Sequence, residues 1–157
     1  MSAPVENASC ITSHVDGMLY TVGTSNGLSI YDTRTGKKSG ILTSQEQPNC
    51  ISFNENGYLI CSGHKSNCTV WDLRNLSSVA NLNTPDGCNS ARFDYSGKFL
   101  AYSNGASITL SAVKQYTPLI EISEHKSNVT SIVWGNLGKS IYSSALDKTI
   151  KSYQINQ

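Results

Sequence analysis

Short hydrophobic stretches follow one another along this 157-residue chain, and polar turns separate them. Between residues 49 and 83 the chain reads NCISFN, YLICSG, CTVWDLR and SSVANLN, with ENG and HKSN at the first two breaks. β-branched and aromatic side chains in such stretches favour β-strands, and Gly, Asn and Asp favour the turns between them. No segment shows the 3.6-residue period of an amphipathic helix. The chain is therefore predicted to be all-β.

The strand pattern repeats about every 40 residues. The segment that begins at residue 10 matches the one that begins at residue 50: Cys-Ile opens both, and Tyr31-Asp32 in the first matches Trp71-Asp72 in the second. A third and a fourth unit follow at similar spacing. Units of this length, with an aromatic-Asp pair at the end of the third strand, resemble the blades of a WD-repeat propeller. We interpret Tyr31-Asp32 and Trp71-Asp72 as WD-type dipeptides.

The repeat predicts a partial propeller over residues 10–157, built from about four blades of antiparallel strands, after a flexible leader over residues 1–9. The last unit reads as three strands, so its blade is expected to lack the outer strand. The blades are predicted near residues 10–43, 49–83, 88–123 and 128–155. An open stack of blades exposes a sheet face at each end and an unpaired strand edge, so self-association is expected.

The fourth unit contains the residue types of a hydrolase triad. His125 precedes its first strand, Ser143 lies on its second strand and Asp147 lies in the next turn. A catalytic serine requires a sharp exposed turn with oxyanion donors, whereas Ser143 lies in the middle of the strand SIYSSAL. A carboxylate held under a turn must be hydrogen-bonded, and an imidazole, a hydroxyl and an aromatic polar group can satisfy it. We therefore interpret His125, Ser143, Asp147 and Tyr153 as a structural hydrogen-bond tetrad and expect no catalytic residue.

Composition and charge narrow the possible functions. The formal net charge is +1 and only 15% of residues are charged, so no basic field predicts direct nucleic-acid binding. No apolar run reaches the roughly 20 residues of a membrane helix. The five cysteines form no C-x-x-C pair, and neither His14 nor His64 has a second ligand-type residue at metal-binding spacing. No metal, cofactor or membrane partner is expected, and His64 is interpreted as a solvated turn residue.

The order of the motifs is more specific than a generic repeat. FNENGYLICSG and TVWDLRNL are followed by FDYSGKFLAYSNGASITLSAVKQY and then by EISEHKSNVTSIVWG. The third unit lacks the WD-type dipeptide and carries Lys114-Gln115-Tyr116, and Glu124-His125 opens the fourth. Over residues 10–157 this order resembles the C-terminal end of the pre-mRNA-processing factor nineteen family.

The resemblance implies a nuclear protein of a spliceosome-activating complex. Members of that family carry a U-box, which makes them ubiquitin-protein ligases, and a coiled coil, and their propeller recruits substrates and partners. The sequence shows neither a U-box nor a coiled coil. We therefore expect a non-enzymatic scaffold that binds proteins or peptides of the splicing and ubiquitin machinery.

Two alternatives remain from the sequence. The chain is also compatible with a WD-repeat scaffold of another complex, or with a propeller hydrolase that uses Ser143 and His125. If it is a scaffold, partners are expected at loops on one side of the blades. The candidate partner-facing residues in those loops are His64, Lys65, Asp86, Lys126 and Lys148.

Overall fold

Fifteen strands form four sheets in the described part of the chain, which comprises Val5 and residues 7–155 of a computed structural model. The first two sheets contain β1 (Cys10–Ser13), β2 (Leu19–Thr24), β3 (Gly27–Asp32), β4 (Lys38–Thr43), β5 (Cys50–Phe53), β6 (Leu59–Gly63), β7 (Asn67–Asp72) and β8 (Ser77–Asn83). The last two contain β9 (Ala91–Phe93), β10 (Phe99–Asn104), β11 (Ser107–Ala112), β12 (Pro118–Ile122), β13 (Val129–Trp134), β14 (Ser140–Ala145) and β15 (Ile150–Gln154). The predicted leader, residues 1–9, falls partly outside the described residues.

Each sheet is an antiparallel meander whose strands follow chain order from the inside outward. The innermost strands β1, β5, β9 and β13 lie side by side, so the four sheets are successive blades of one arc. Blades 1 to 3 have four strands each, and the described part of blade 4 has three. This confirms the predicted all-β propeller fragment and the missing outer strand of its last blade. The only helical segment among the described residues is the 3-10 turn Asn136–Gly138, and no helix there is long and apolar enough to cross a membrane.

Local details recur with the repeat. Gly17, Gly57 and Gly97 occupy the same hairpin turn in successive blades, with φ of 72°, 74° and 68°. Glycine adopts this left-handed conformation without steric cost, which explains the residue at each turn. The ladder between the third and outer strands shifts register just before Tyr31, and again before Trp71 in blade 2. Each bulge therefore lies beside the aromatic position of a dipeptide.

Apolar cores lie between successive blades. Between blades 1 and 2 the core contains Leu28, Ile30, Leu42, Ile51, Phe53, Ile60 and Trp71. Four free cysteines, Cys50, Cys61, Cys68 and Cys88, form part of the core between blades 2 and 3. Ala101, Ile108, Leu110, Val129, Ile132 and Ile141 form the core between blades 3 and 4. Because a single sheet cannot bury its apolar face alone, packing between blades is the main source of stability.

Candidate functional site

In blade 4 the structure brings together three side chains of the predicted tetrad. His125 Nε2 lies 2.7 Å from Ser143 Oγ, and His125 Nδ1 lies 2.9 Å from Asp147 Oδ2. An ionised carboxylate only accepts hydrogen bonds, so we assign the imidazole proton to Nδ1 and the Ser143 hydroxyl as donor to Nε2. Ser143 is only 2% exposed and His125 is buried. The three residues form a buried relay under the turn between β14 and β15.

The turn around Asp147 holds its carboxylate in the ionised form. Thr149 donates to Oδ1 from its hydroxyl at 2.6 Å and from its backbone N–H at 3.0 Å. The Lys126 backbone N–H donates to Oδ2 at 2.9 Å. The Thr149 hydroxyl, followed by the Lys126 N–H and His125, holds the pKa of Asp147 well below its usual range. This carboxylate ties the loop before blade 4 to the β14–β15 turn.

The lowered pKa of Asp147 predicts that the stability of the fold depends on pH. A carboxyl whose pKa is lower in the folded chain stabilises the fold above the unfolded pKa, about 3.9, and this stabilisation is lost as pH falls towards the folded pKa. We expect the parent chain to lose stability relative to Asp147→Asn as pH falls below about 4. Denaturant unfolding of both proteins from neutral to acid pH measures the difference. A difference that does not change with pH would contradict this role of Asp147.

Tyr153 does not complete the predicted tetrad. Its hydroxyl is buried and has no hydrogen-bond partner among the described residues. Burial raises the pKa of Tyr153, and the nearby Ser143 hydroxyl offsets this only in part. Blade 4 therefore lacks the link to its serine that the indole N–H of Trp71 makes to Ser62 in blade 2.

Blade 2 contains a second buried relay that does have all of its links. Trp71 Nε1–H donates to Ser62 Oγ at 2.9 Å, and Ser62 Oγ lies 2.9 Å from His64 Nε2. His64 Nδ1 lies 3.0 Å from the backbone carbonyl of Glu46. The interpretation of His64 as a solvated turn residue is therefore wrong. Its side chain is fully buried because both ring nitrogens find partners inside the blade, and this desolvation lowers the pKa of His64.

Blades 2 and 4 exchange the positions of the imidazole and the carboxylate. In blade 4 the loop before the first strand supplies His125 and the turn supplies the carboxylate. In blade 2 the same loop position, four residues before the first strand, is Glu46, and the turn side supplies His64. Glu46 accepts hydrogen bonds from the hydroxyl (2.8 Å) and N–H (3.2 Å) of Ser66 in that turn. Both arrangements join the same loop to the same turn.

A similar exchange occurs in blade 3 between the second and third strands. Tyr102 lies at the strand position of Ser62, and Ser111 lies at the position of Trp71. The Ser111 hydroxyl and the Tyr102 hydroxyl are 3.5 Å apart, a weak hydrogen bond. The bulky and the small polar side chain have therefore changed strands while filling the same space. In blade 1 the aromatic Tyr31 instead stacks on Tyr20, with ring centroids 5.1 Å apart.

The aspartates of the two dipeptides stabilise turns. Asp32 Oδ1 accepts from the N–H of Thr35 at 2.7 Å and from its hydroxyl at 3.0 Å. Asp72 forms a two-pronged ion pair with Arg74, which also lies over the Tyr58 ring. The Thr35 N–H lowers the pKa of Asp32, and the Arg74 guanidinium lowers the pKa of Asp72. These contacts are local to the turn that follows each third strand.

Comparisons with known proteins agree with this architecture. The family model described as WD40, "WD domain, G-beta repeat", matches residues 36–72 and 116–154. Over these two stretches the chain is similar to WD40 repeats. Among solved structures, a chain in the crystal structure of a mitotic checkpoint complex superposes with a TM-score of 0.87 at 18% identity, over 94% of this chain and 47% of that one. This likeness shows the fold.

A curated relative of this chain is pre-mRNA-processing factor 19. The proteins from Homo sapiens, Mus musculus and Bos taurus are each 32% identical to it over 63 residues. The match covers 40% of this chain and only 12% of the relatives' length. The similarity is therefore partial, and the chain spans a small part of those proteins.

The other candidate residues lie on loops on one side of the arc of blades. Lys65, Asp86, Lys126 and Lys148 are exposed, unlike His64. They lie in the turns between the second and third strands and in the loops between blades. Hydrogen bonds such as the one from Cys88 N–H to His64 O (2.8 Å) connect these loops to these turns. No three His, Cys, Asp or Glu side chains among the described residues are arranged to hold a metal ion.

Restoring the missing link of blade 4 gives a further prediction. Tyr153→Trp places an indole N–H where Trp71 has one, and we expect it to raise the free energy of unfolding by about 1 kcal/mol through a new hydrogen bond to Ser143. Tyr153→Phe removes only an unpaired hydroxyl and is the matched control, expected to cost nothing. Denaturant unfolding compares the three chains, and a Phe variant that loses stability would show that the hydroxyl does have a partner.

Proposed function

We propose that this WD40 chain is a non-enzymatic scaffold that binds proteins or peptides of the splicing and ubiquitin machinery in the nucleus. The observation that carries the proposal is the burial of the only triad-like residues in a relay that joins a loop to a turn. Ser143 is 2% exposed and sits mid-strand in β14, so a substrate carbonyl has no path to its hydroxyl. The scaffold function therefore falls to the exposed loops.

The splicing context rests on the 63-residue similarity to pre-mRNA-processing factor 19. That protein's name refers to pre-mRNA processing, and the motif order of residues 10–157 supports the same context. The exposed lysines of the loop side offer cationic contacts to a protein partner. Lys65 belongs to blade 2, whereas Lys126 and Lys148 both lie at blade 4, so a partner that touches all three extends from blade 2 to blade 4.

Affinity purification from nuclear extract tests this function. We expect the tagged chain to enrich splicing-complex proteins, and the double variant Lys65→Glu, Lys126→Glu to lose them while keeping its strand content by circular dichroism. Lys114→Glu, an exposed change outside those loops, is the control. Equal recovery by the parent and the double variant would contradict binding through these loops.

We also propose self-association through the end faces of the arc. At one position of the second strand, blades 1 to 3 have Thr21, Cys61 and Ala101, each 0% exposed because the next blade covers it. Blade 4 has Tyr142 there, 41% exposed beside Val133 on the uncovered face. Light scattering across concentrations should show dimers that Val133→Glu disrupts. A monomer at every concentration would contradict this part of the proposal.

A further inference from the structure

Strand β15 of blade 4 pairs with a neighbour on one side only within the described residues. β14 forms that single antiparallel ladder. Ile155 donates its N–H to Lys139 O at 2.8 Å, which orients the odd-numbered residues of β15 towards β14. Along a strand of an antiparallel sheet, successive residues direct their backbone N–H and C=O groups to opposite sides of the strand. The N–H and C=O groups of Ile150, Ser152 and Gln154 therefore point to the open edge.

In the other three blades an outer strand covers the equivalent edge. The strand register shows which residue of each other blade is equivalent to Ile150. In each of those blades, this third-strand residue faces an aliphatic side chain of the outer strand. Those pairs are Leu28–Leu42, Cys68–Leu82 and Ile108–Ile122. The third-strand member is fully buried in each pair, whereas Ile150 is 80% exposed. The repeat thus defines what is missing opposite Ile150: an aliphatic residue on an extended strand.

A groove lies beside this open edge. It has a volume of about 500 Å³ between β12 and β15, and its apolar lining includes Ile120, Ile122 and Tyr153. Ile120 is 46% exposed. Leu42 and Leu82, at the position of Ile122 in blades 1 and 2, are 0% and 7% exposed, while Ile122 is only half-buried. The outer edge of blade 3 is uncovered because the described part of the next blade has no fourth strand against it.

The charge of the groove favours a basic ligand. Glu121 and Glu124 line it, and both are exposed. Lys151 Nζ lies 3.7 Å from the Glu124 carboxylate and donates to its backbone carbonyl at 2.6 Å. One lysine beside two glutamates leaves the rim net acidic, so a cationic residue at one end of a bound strand gains favourable electrostatics.

We propose that the open edge of β15 binds an extended peptide from another protein, which adds to blade 4 as its fourth strand. The peptide places an aliphatic residue opposite Ile150, a second apolar residue over the groove beside Ile120, and a basic residue near Glu121. Backbone hydrogen bonds at Ile150, Ser152 and Gln154 supply the main recognition, as in other cases of strand addition. This site lies on the rim of blade 4 and is separate from the loop side proposed for scaffold contacts.

Residues 1–9 do not place an aliphatic side chain at the position equivalent to Leu42. Leu42 precedes Cys50, the first residue of the next blade, by eight residues. The same spacing before Cys10 falls on Ser2, and serine does not provide the aliphatic side chain. A second copy that presents its leader to this edge would therefore lack the contact that Leu42 makes in blade 1. This favours a segment of a different protein.

A peptide copied from blade 1 is the probe. Residues 37–44, KKSGILTS, form an outer strand with two lysines and the aliphatic pair Ile41-Leu42. The matched control peptide is KKSGSSTS. We expect fluorescence anisotropy to show binding of the first peptide and none of the second. Hydrogen exchange should slow at the amides of Ile150, Ser152 and Gln154 when the first peptide is bound.

Ser152→Pro is the matched chain variant. Proline removes one N–H at the open edge and keeps the ladder to β14, a position that edge strands tolerate. We expect unchanged thermal unfolding and a loss of peptide affinity of about tenfold or more. Ile150→Lys, which removes the aliphatic contact at an exposed side chain, is the second variant and is expected to weaken binding as well.

Three results would overturn the proposal. The first is that KKSGILTS does not bind. The second is that KKSGILTS binds but slows hydrogen exchange at other amides, and that neither Ser152→Pro nor Ile150→Lys weakens this binding. The third is protection of the three amides without peptide, increasing with chain concentration, because a second copy would then occupy the edge. None of these results bears on the loop-side lysines, so the scaffold function stands or fails by its own test.

Discussion

Trp71→Ala is expected to lower the free energy of unfolding by about 4 kcal/mol, the largest effect of any single change considered. Trp71 is 7% exposed and packs in the core between blades 1 and 2. Its removal leaves a cavity beside Ile60 and also leaves the Ser62–His64 relay without its indole donor. Because an arc of blades is held together by inter-blade packing, the loss is expected to weaken the whole unit and not one blade alone.

Trp71→Phe separates the two contributions. Phenylalanine keeps most of the buried apolar surface and loses the hydrogen bond to Ser62, so we expect a loss of about 1–2 kcal/mol. Chemical denaturation followed by circular dichroism measures both variants. A Trp71→Ala chain within about 1 kcal/mol of the parent would contradict the assignment of this residue to a packed inter-blade core.

His125→Ala is expected to lower the free energy of unfolding by about 3 kcal/mol. Among the described residues, only the imidazole connects Ser143 to Asp147, and its side chain is 1% exposed. Truncation leaves the buried Ser143 hydroxyl without its acceptor and removes one donor from the Asp147 carboxylate. An unpaired buried polar group costs more than the net value of the hydrogen bond that it made.

Lys126→Ala is the matched control for His125→Ala. Lys126 is the next residue, its side chain is exposed, and only its backbone N–H contacts Asp147. We expect its unfolding free energy to stay within about 0.5 kcal/mol of the parent. Equal losses in the two variants would assign the effect to the loop backbone and contradict a structural role for the imidazole.

The fold follows from the sequence because repetition multiplies a weak signal. One stretch such as YLICSG does not distinguish a buried strand from a short helix. Four such units at a spacing near 40 residues, with recurring glycine turns and an aromatic residue at the dipeptide position in three of the four, leave one architecture. The three strands in the described part of blade 4 were also predictable, since the fourth unit contains three strand-like stretches.

The second relay was not predictable from the same residues. The pattern assigns histidine to the loop before the first strand and aspartate to the turn, and that arrangement locates His125 and Asp147. In blade 2 the turn sequence HKSN has no aspartate, so His64 resembles a solvated residue. Its burial depends on Ser62 and on the backbone of Glu46, a contact across 18 residues. The available signal was Glu46 itself, four residues before β5, where blade 4 has His125.

The exchange in blade 3 has the same physical cause. Packing between blades requires one large and one small side chain at diagonal positions of the second and third strands, and either strand can supply either. Tyr102 and Ser111 fill the space in reverse order, so a search for an aromatic residue at Ser111 finds none. Motif positions are thus predictable where the large and the small residue stay on their usual strands. They are not predictable where the two residues have exchanged strands while filling the same volume.

Ser143 provides the most direct test of the central claim, that the triad-like residues are structural. The measurement combines labelling of the folded chain by a fluorophosphonate probe with the unfolding free energy of Ser143→Ala. The structure predicts no adduct on Ser143 and a loss of about 1–2 kcal/mol in the variant. An adduct on Ser143 of the folded chain, together with an alanine variant as stable as the parent, would contradict the claim and establish a nucleophile.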